Sequence, residues 1–251
     1  MIGGVPRALL VMASHPLFAA GIAEHSMYRR DPWERLAGSI ESFYAIVFGS
    51  RSDAEAAANR VYRKHAAVCG RTSENAGPFP AGTHYAALEP GLLLWVYAAI
   101  IDTGLVMYRT YVGPLTTVEE ETVYAEMKIV GRLFGIPSDL IPDTLRELRS
   151  QARERLESPE ITVTEAARAI ARDILHPPLP PKLRPVSSAV QVVTVGVLPP
   201  KLRDQYGLRW GTGTRALYRA SVRFSGVLDA ALRRSCVENP RLARAYALAL
   251  G

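Results

Sequence analysis

The stretch that decides the fold is GLLLWVYAAIIDTGLVMYRTYV, residues 91–112. It is almost continuously apolar from Leu92 to Ile101, and it then carries Asp102 and Arg109. A segment of this length could span a membrane, but an acidic side chain near its centre is costly in lipid. A helix that is apolar all round is otherwise typical of the centre of a large helical domain. The segment therefore predicts a soluble protein built around one buried helix.

Helical periodicity also dominates outside this segment, and no stretch alternates between apolar and polar residues as a half-buried strand would. Several predicted helices begin at a residue that can cap free backbone amides. These caps are Asp31 before Pro32, Ser52 with Glu55, Thr117 with Glu120, and Thr162 with Glu165. We predict helices near residues 16–28, 32–48, 53–69, 90–112, 117–135, 143–156, 163–175, 210–225, 226–236 and 240–249. The sequence therefore predicts an all-α fold.

A proline-rich stretch at residues 176–185 interrupts this pattern and is predicted to run extended across the surface. The apolar, β-branched segment at 190–198 follows it and is expected to be buried against the rest of the chain. A chain of 251 residues can bury one large core. We therefore predict a single domain over residues 1–251, in which the C-terminal helices extend a multi-helix bundle.

The net charge of +6 is unevenly distributed along the chain. Residues 1–140 contain 12 basic and 14 acidic side chains, whereas residues 141–251 contain 18 and 10. The arginines are spread along helical stretches, for example Arg146, Arg149 and Arg155, without the aromatic and basic pattern of a nucleic-acid motif. We interpret them as a solvated helix face and expect no nucleic-acid partner. Contact with a membrane surface stays open but is not predicted.

The sequence contains no motif that is typical of other classes of function. Cys69 and Cys236 show neither a disulfide framework nor metal-ligand spacing. The five histidines form no zinc motif, and the sequence has no glycine-rich phosphate loop and no nucleophile elbow. Hydrolase and nucleotide-dependent functions are therefore not supported. Because no convincing signal peptide is present, we expect a cytoplasmic protein, whose oligomeric state the sequence leaves open.

His65 is the residue whose position points to chemistry. Its side chain projects from the middle of an apolar stripe of small residues on the helix predicted at 53–69. A haem ligand needs a neutral imidazole directed into a dry pocket. A core histidine bonded to a backbone carbonyl is nevertheless the commoner reason for such a position, so periodicity leaves both interpretations open. The stripe comprises Ala54, Ala58, Val61, Tyr62, Val68 and Cys69.

Arg35 and Ser39 lie four residues apart on the preceding predicted helix, and they therefore share a face that Phe43 and Ile46 border. An arginine beside an apolar face could neutralise a haem propionate or order a distal pocket. It could equally pair with Asp31, one turn earlier, or cover the core with its stem. These residues alone favour the structural interpretations.

Seven segments occur in an order that resembles a known family. They run from residue 14 to residue 210, and the resemblance covers nearly the whole chain, from about residue 7 to residue 249. The segments are SHPLFAAGIAEHS (14–26), DPWERLAGSIESFYAIVFGS (31–50), RVYRKHAAVCG (60–70), THYAALEPGLLLWVYAAII (83–101), PLTTVEEETVYAEM (114–127), GRLFGIPSDLIPDT (131–144) and VLPPKLRDQYGLRW (197–210). The chain is similar to one catalytic-domain family. This family contains the rubber oxygenase called latex-clearing protein, the oxygenase of mycophenolic acid biosynthesis, and actinobacterial members.

This resemblance implies a globin-like, all-α domain that binds haem b. It implies an oxygenase or oxidase that uses O₂ on an apolar, isoprenoid- or lipid-like small molecule. His65 matches the family's axial iron ligand and is therefore expected to be the metal-binding residue. Arg35 and Ser39 match an Arg and a Thr beside the haem, which implies catalytic roles for both and cofactor binding for Arg35. Tyr62, on the His65 stripe, is expected to contact the cofactor as well.

Departures from the family pattern separate this chain from the rubber-cleaving enzymes. A lysine that can occupy the distal iron site of latex-clearing protein is Gly38 here, and a segment that relatives often write Trp-Val-His is Trp95-Val96-Tyr97. Glu24 is only a candidate for the catalytic glutamate of those enzymes. We therefore expect an open distal site and a substrate other than rubber. Two alternatives remain, namely a haem-binding protein without oxygenase activity and a haem-free helical protein that binds an apolar ligand.

Overall fold

The computed structural model describes residues 4–25, 32–177, 182 and 184–238, with residues 32–37, 40 and 226–238 described by their backbone alone. Within these ranges the chain forms eleven helices and one small sheet, which confirms the predicted all-α class. The sheet pairs β1, Cys69–Arg71, with β2, His84–Ala86, in antiparallel orientation. The helices are α1 Gly4–Ala13, α2 Pro16–His25, α3 Pro32–Phe48, α4 Arg51–Ala66, α5 Pro90–Tyr111, α6 Thr117–Leu133, α7 Leu145–Glu157, α8 Glu165–Leu175, α9 Arg184–Val197, α10 Pro200–Gln205 and α11 Thr212–Glu238.

The central position predicted for the apolar helix is confirmed, because α5 contributes to two apolar clusters. Trp95 and Ala99 belong to a cluster with residues of α1, α2 and α8. Leu93, Tyr97 and Ile101 belong to a second cluster, with residues of α6 and α7. By length and composition α5 could cross a membrane, as could the sharply bent pair of α1 and α2 taken together. More than half of the apolar window in α5 is buried inside the protein, as in the core helix of a bundle.

Asp102, near the middle of α5, is paired inside the bundle. The buried guanidinium of Arg7, on α1, donates to Asp102 Oδ2 at 2.6 Å. The same group donates to Thr103 Oγ1 at 2.5 Å and to the carbonyl oxygen of Val197 at 2.9 Å. These bonds join α1, α5 and the end of α9. They also supply the counter-charge that a carboxylate on a core helix requires.

The helix predicted at 53–69 is wrong at its C-terminal end. The helix stops at Ala66, and Cys69 belongs to β1 instead of the helical stripe. The strand is held by long-range pairing that places Gly70 opposite Tyr85. Three-residue strands carry too few residues for a period-two pattern, so their pairing is not visible in the sequence.

The predicted N-caps at Ser52, Thr117 and Thr162 are wrong by one or two residues. In each case a second hydroxyl lies close by, and the residue with extended backbone dihedral angles takes the cap position. The side-chain oxygen of that residue then accepts a hydrogen bond from an amide in the first turn. The observed caps are Ser50, Thr116 and Thr164.

The C-terminal half differs from its prediction at several points. The helices predicted at 210–225 and 226–236 form a single helix, α11, and the helix predicted at 240–249 lies outside the described residues. Because α9 begins at Arg184, the last residues of the predicted extended stretch are helical. The apolar segment at 190–198 is buried toward its end, as predicted. The short helices α1 and α10 have no counterpart in the prediction.

The interpretation of the C-terminal arginines as a solvated face is wrong for Arg149 and Arg155. Arg149, on α7, donates to the buried carboxylate of Glu120 at 2.7 Å, and Arg109 of α5 pairs with the same carboxylate. Arg155 donates to Glu160 at 2.8 Å. Spacing along α7 does not reveal these partners, because they are presented by other segments of the fold.

His15, between α1 and α2, is a buried histidine. Its Nε2 accepts a hydrogen bond from Arg155 Nη2 at 3.2 Å, and its ring centroid lies 5.4 Å from that of Phe79. Burial and, to a smaller extent, the positive charge of Arg155 lower the pKa of His15 from 6.5 to about 3. The imidazole is therefore neutral at pH 7.

We expect this histidine to make the fold sensitive to acid. As the pH falls from 6.5 toward 3, the unfolded chain binds a proton that the folded chain excludes, and stability is lost. The loss is about 1.4 kcal/mol per pH unit, or roughly 2.7 kcal/mol over two units. His15→Gln, which keeps an acceptor for Arg155, should lose correspondingly less stability over that interval in urea denaturation. Equal pH dependence in the two proteins would contradict this prediction.

Candidate functional site

α3 and α4 form a helical hairpin that is the scaffold of the candidate site. Gly49 and Ser50 connect the two helices, and a Cβ at Gly49 would collide with the carbonyl oxygen of Ala45. Ser50 then caps α4 in a reciprocal capping box with Asp53, which fixes the start of the helix. The two-residue connection places the helices antiparallel and in close contact.

Small residues form the inner face of α4. Ala57 and Ala58 belong to one apolar cluster with Ile46 of α3 and Val130 of α6. Alanine side chains allow helices to pack at short interaxial distances. His65 lies two turns beyond Ala58 on this face. The predicted apolar stripe is therefore present at Ala54 and Ala58, whereas its members Val68 and Cys69 lie beyond the end of the helix. The buried residues of α4 are Ala54, Ala57 and Ala58.

His65 lies in the last turn of α4 and is partly buried. Burial lowers the pKa of its imidazole below the ordinary value, so the ring is neutral at pH 7. Neither ring nitrogen has a hydrogen-bond partner among the described residues, and the backbone carbonyl expected of an ordinary core histidine is not found there. A neutral imidazole with a free nitrogen has the protonation state that metal ligation requires.

The other predicted site residues belong to the same hairpin. Tyr62 is 52% exposed and therefore lies at the margin of the inner face of α4, not within it. Ser39 lies on α3 and is exposed. Arg35 falls within the bounds of α3, but its side chain lies outside the described residues. The hairpin thus brings together the two helices that carry all four predicted residues.

Glu24, the candidate for a catalytic glutamate, lies at the end of α2 against the β-hairpin. Its Oε2 accepts a hydrogen bond from the hydroxyl of Tyr85 at 2.6 Å. Gly70 allows this contact, because a Cβ there would collide with the Tyr85 hydroxyl. Glu24 also lines a cavity of about 90 Å³ between α2 and the start of α8, and His65 does not line that cavity. The structure therefore gives Glu24 a role in holding the β-hairpin on α2.

Tyr97 is a buried polar residue whose setting the sequence did not reveal. It is 2% exposed, and its hydroxyl has no partner in the described part of the chain. Burial raises the pKa of this hydroxyl, which keeps it neutral. Its ring lies on Gly131 of α6, where a Cβ would come within 3.2 Å of the ring. The departure from Trp-Val-His at this position was the available signal, and it did not indicate that the hydroxyl would be unpartnered.

Comparison of the sequence with protein families identifies the group to which the chain belongs. A profile of the family described as "ER-bound oxygenase mpaB/B'/Rubber oxygenase, catalytic domain" matches residues 1–227. The chain belongs to this family. The resemblance inferred from the seven segments is thereby confirmed, and the family supports an oxygenase role. Searches among curated proteins and among solved structures each gave no significant match.

Proposed function

We propose that this member of the rubber-oxygenase family is a haem b-dependent oxygenase that uses O₂ to oxidise an apolar, isoprenoid- or lipid-like substrate. His65 would hold the haem iron in this proposal. The observation that carries it is the partly buried, neutral imidazole without a ring partner in the described part of the chain. Family membership supports the oxygenase assignment.

The donor set around His65 fits a haem iron. Haem brings its own equatorial ligands and takes an axial side chain from the protein. A zinc site instead takes three or four protein ligands. Among the described residues, no group of three or more His, Cys, Asp or Glu side chains could hold a metal ion. A single neutral imidazole beside an alanine-rich helix face therefore fits a haem iron better than a zinc ion.

The remaining residues of the hairpin bind and shield the cofactor in this proposal. When bound, haem supplies the iron at which O₂ is activated, while the protein supplies the ligand, the local polarity and the exclusion of water. Arg35 would supply a positive charge for a haem propionate, and Ser39 lies one turn away on the same helix. Tyr62, at the exposed margin of α4, would shield the cofactor from solvent.

Gly38 supports an open distal side. A Cβ at this position would meet no described atom within 4 Å, and the Gly38 carbonyl already accepts from Ser42 Oγ at 2.7 Å. Position 38 therefore supplies no side-chain ligand to compete with O₂. The proposal of an apolar substrate rests on membership of a family that includes rubber oxygenases.

The test is a hemin titration of the full chain, followed by oxygen-consumption assays with unsaturated terpenoids and lipids. We expect saturable hemin uptake with a strong near-ultraviolet haem band, and oxygen consumption with at least one of these apolar substrates. Absence of saturable uptake would overturn the haem assignment. Saturable uptake without turnover of any of them would overturn the oxygenase assignment in favour of a haem-binding protein.

A further inference from the structure

α11 attaches to the bundle by one side and leaves the other side in solvent. On the attached side, Ser225 Oγ donates to the carbonyl oxygen of Tyr111 at 2.8 Å, and Ser221 Oγ lies 3.3 Å from the Tyr111 hydroxyl. The ring of Tyr218 packs against Gly196 of α9, where a Cβ would collide with it. We call the opposite side the α11 outer face. It carries arginines and large apolar side chains that do not contribute to this attachment. It comprises Arg215, Ala216, Leu217, Arg219, Ala220, Arg223 and Phe224, all exposed.

Apolar side chains occupy one half of the α11 outer face. Leu217 is 62% exposed and Phe224 is 69% exposed. They are seven residues apart, so they lie in line on the helix surface, with Ala220 between them. Large apolar side chains that are aligned and exposed to solvent are typical of a surface that binds a partner or a membrane.

Arginines occupy the other half of the α11 outer face. Arg215, Arg219 and Arg223 follow each other at intervals of four residues and form a row along the helix. None of them makes an ion pair with a described residue. Residues 205–228 contain four arginines and no acidic side chain, so no carboxylate lies within four residues of the row along the helix. The outer face is therefore a cationic stripe beside an apolar one.

A groove next to the arginine row enlarges the basic surface. It lies between the end of α5 and α11, has a volume of about 350 Å³ and is open to solvent. Arg109 and Thr110 of α5 line it opposite Arg219 and Arg223. The carboxylate of Glu120 offsets the charge of Arg109, and the Thr110 hydroxyl donates to the carbonyl oxygen of Val106 at 2.7 Å. The two α11 arginines therefore remain to face an anion. The groove can receive a phosphate group that approaches from the α11 side.

We propose that the α11 outer face docks on an anionic membrane surface, with lipid phosphates at the arginine row and with Leu217 and Phe224 in the headgroup boundary. An amphipathic helix with arginines along one edge and Leu and Phe along the other is suited to this position. A second copy of the chain is a poorer occupant, because two arginine rows without acidic partners would repel each other. Nucleic acid would satisfy the arginines but would leave Leu217 in water. The inference does not depend on haem binding at His65.

Vesicle sedimentation of the full chain tests the proposal. We expect binding to vesicles of equal parts phosphatidylcholine and phosphatidylglycerol, weaker binding at high salt, and little binding to phosphatidylcholine alone. Replacing the three row arginines together, as R215Q/R219Q/R223Q, should weaken binding on the order of a hundred-fold, since each arginine near the bilayer contributes roughly a factor of five. Leu217→Ser with Phe224→Ser should weaken binding to the anionic vesicles while preserving its salt dependence.

A matched control removes the same net charge elsewhere. Arg146, Arg153 and Arg172 are exposed on α7 and α8, and their joint replacement by Gln should leave vesicle binding near the wild-type level. Equal loss in the two triple variants would show a general charge effect and would overturn the proposal. Wild-type binding by R215Q/R219Q/R223Q would also overturn it. So would a tighter complex with a DNA duplex than with the anionic vesicles, because the partner would then be nucleic acid.

Discussion

Replacing His65 with alanine is expected to abolish saturable hemin uptake while leaving the helical fold intact. His65 is at the end of α4, and the capping and the apolar packing of that helix depend on Ser50, Ala57 and Ala58 instead. Removing a residue that only hydrogen-bonds to a metal ligand typically weakens metal binding by about 10–100-fold. The loss of hemin affinity in His65→Ala should exceed that range, because the substitution removes the proposed ligand itself. Hemin titration measures the affinity, and far-ultraviolet circular dichroism reports on the helices.

His84 provides the matched control for this substitution. It is an exposed histidine on β2 with no role in the proposed site. His84→Ala should bind hemin as the wild-type protein does, with the same spectrum. If His65→Ala keeps the wild-type affinity and spectrum, or if both variants lose hemin equally, another group holds the iron.

Chemical rescue separates ligation from a structural role. His65→Gly creates space for a free imidazole at the end of α4, and added imidazole should restore the haem band if the side chain acts as an axial ligand. A structural defect would not respond to imidazole. This readout does not require that the substrate be known.

The features of the fold that follow local rules were predictable from the sequence. The bounds predicted for α3 agree with the observed helix, and those predicted for α5 differ by one residue. Proline at the first position of each helix and a sustained apolar pattern are both local signals. The pairing of Gly70 with Tyr85 was not predictable, because it joins two three-residue strands that the loop at residues 72–83 separates. The same holds for Arg149, since its partner Glu120 is presented by a different helix.

The candidate site, like the fold, was only partly predictable from the sequence. Helical spacing identified the small-residue face of α4 around His65, and the burial of Ala54 and Ala58 confirms that face. Spacing also included Cys69, which is wrong because the helix ends before it. What His65 binds does not follow from spacing, because a core histidine and an axial ligand have the same periodicity. Only the family resemblance distinguished those interpretations, and the missing carbonyl partner in the described part of the chain agrees with it.

Asp102→Ala is expected to lower the free energy of unfolding by about 3–5 kcal/mol. The side chain of Arg7 is only 3% exposed, whereas that of Asp102 is 44% exposed. Removing the carboxylate therefore leaves a buried guanidinium without its counter-charge, and an uncompensated buried charge is among the costliest defects in a fold. Urea denaturation followed by circular dichroism measures the change.

An exposed ion pair provides a control for the effect of Asp102→Ala on stability. Arg51 and Glu55 are joined at 2.8 Å within α4, and their side chains are 92% and 50% exposed. Glu55→Ala should leave the free energy of unfolding almost unchanged, because water solvates both charges when the pair is broken. A similar small effect for Asp102→Ala would show that water reaches Arg7 and that the pair is not part of the core.

Removing both charges should cost less than removing the carboxylate alone. Arg7→Met combined with Asp102→Ala leaves no unpaired ion, and an apolar side chain of similar length occupies the space between α1 and α5. The carbonyl of Val197 and the hydroxyl of Thr103 then lose a donor, and each loss costs at least about 1 kcal/mol when the group is buried, so recovery should be partial. The double variant is therefore expected to lie between the wild-type protein and Asp102→Ala. A double variant less stable than Asp102→Ala would mean that the hydrogen bonds of Arg7 to Thr103 and Val197 outweigh its charge balance with Asp102.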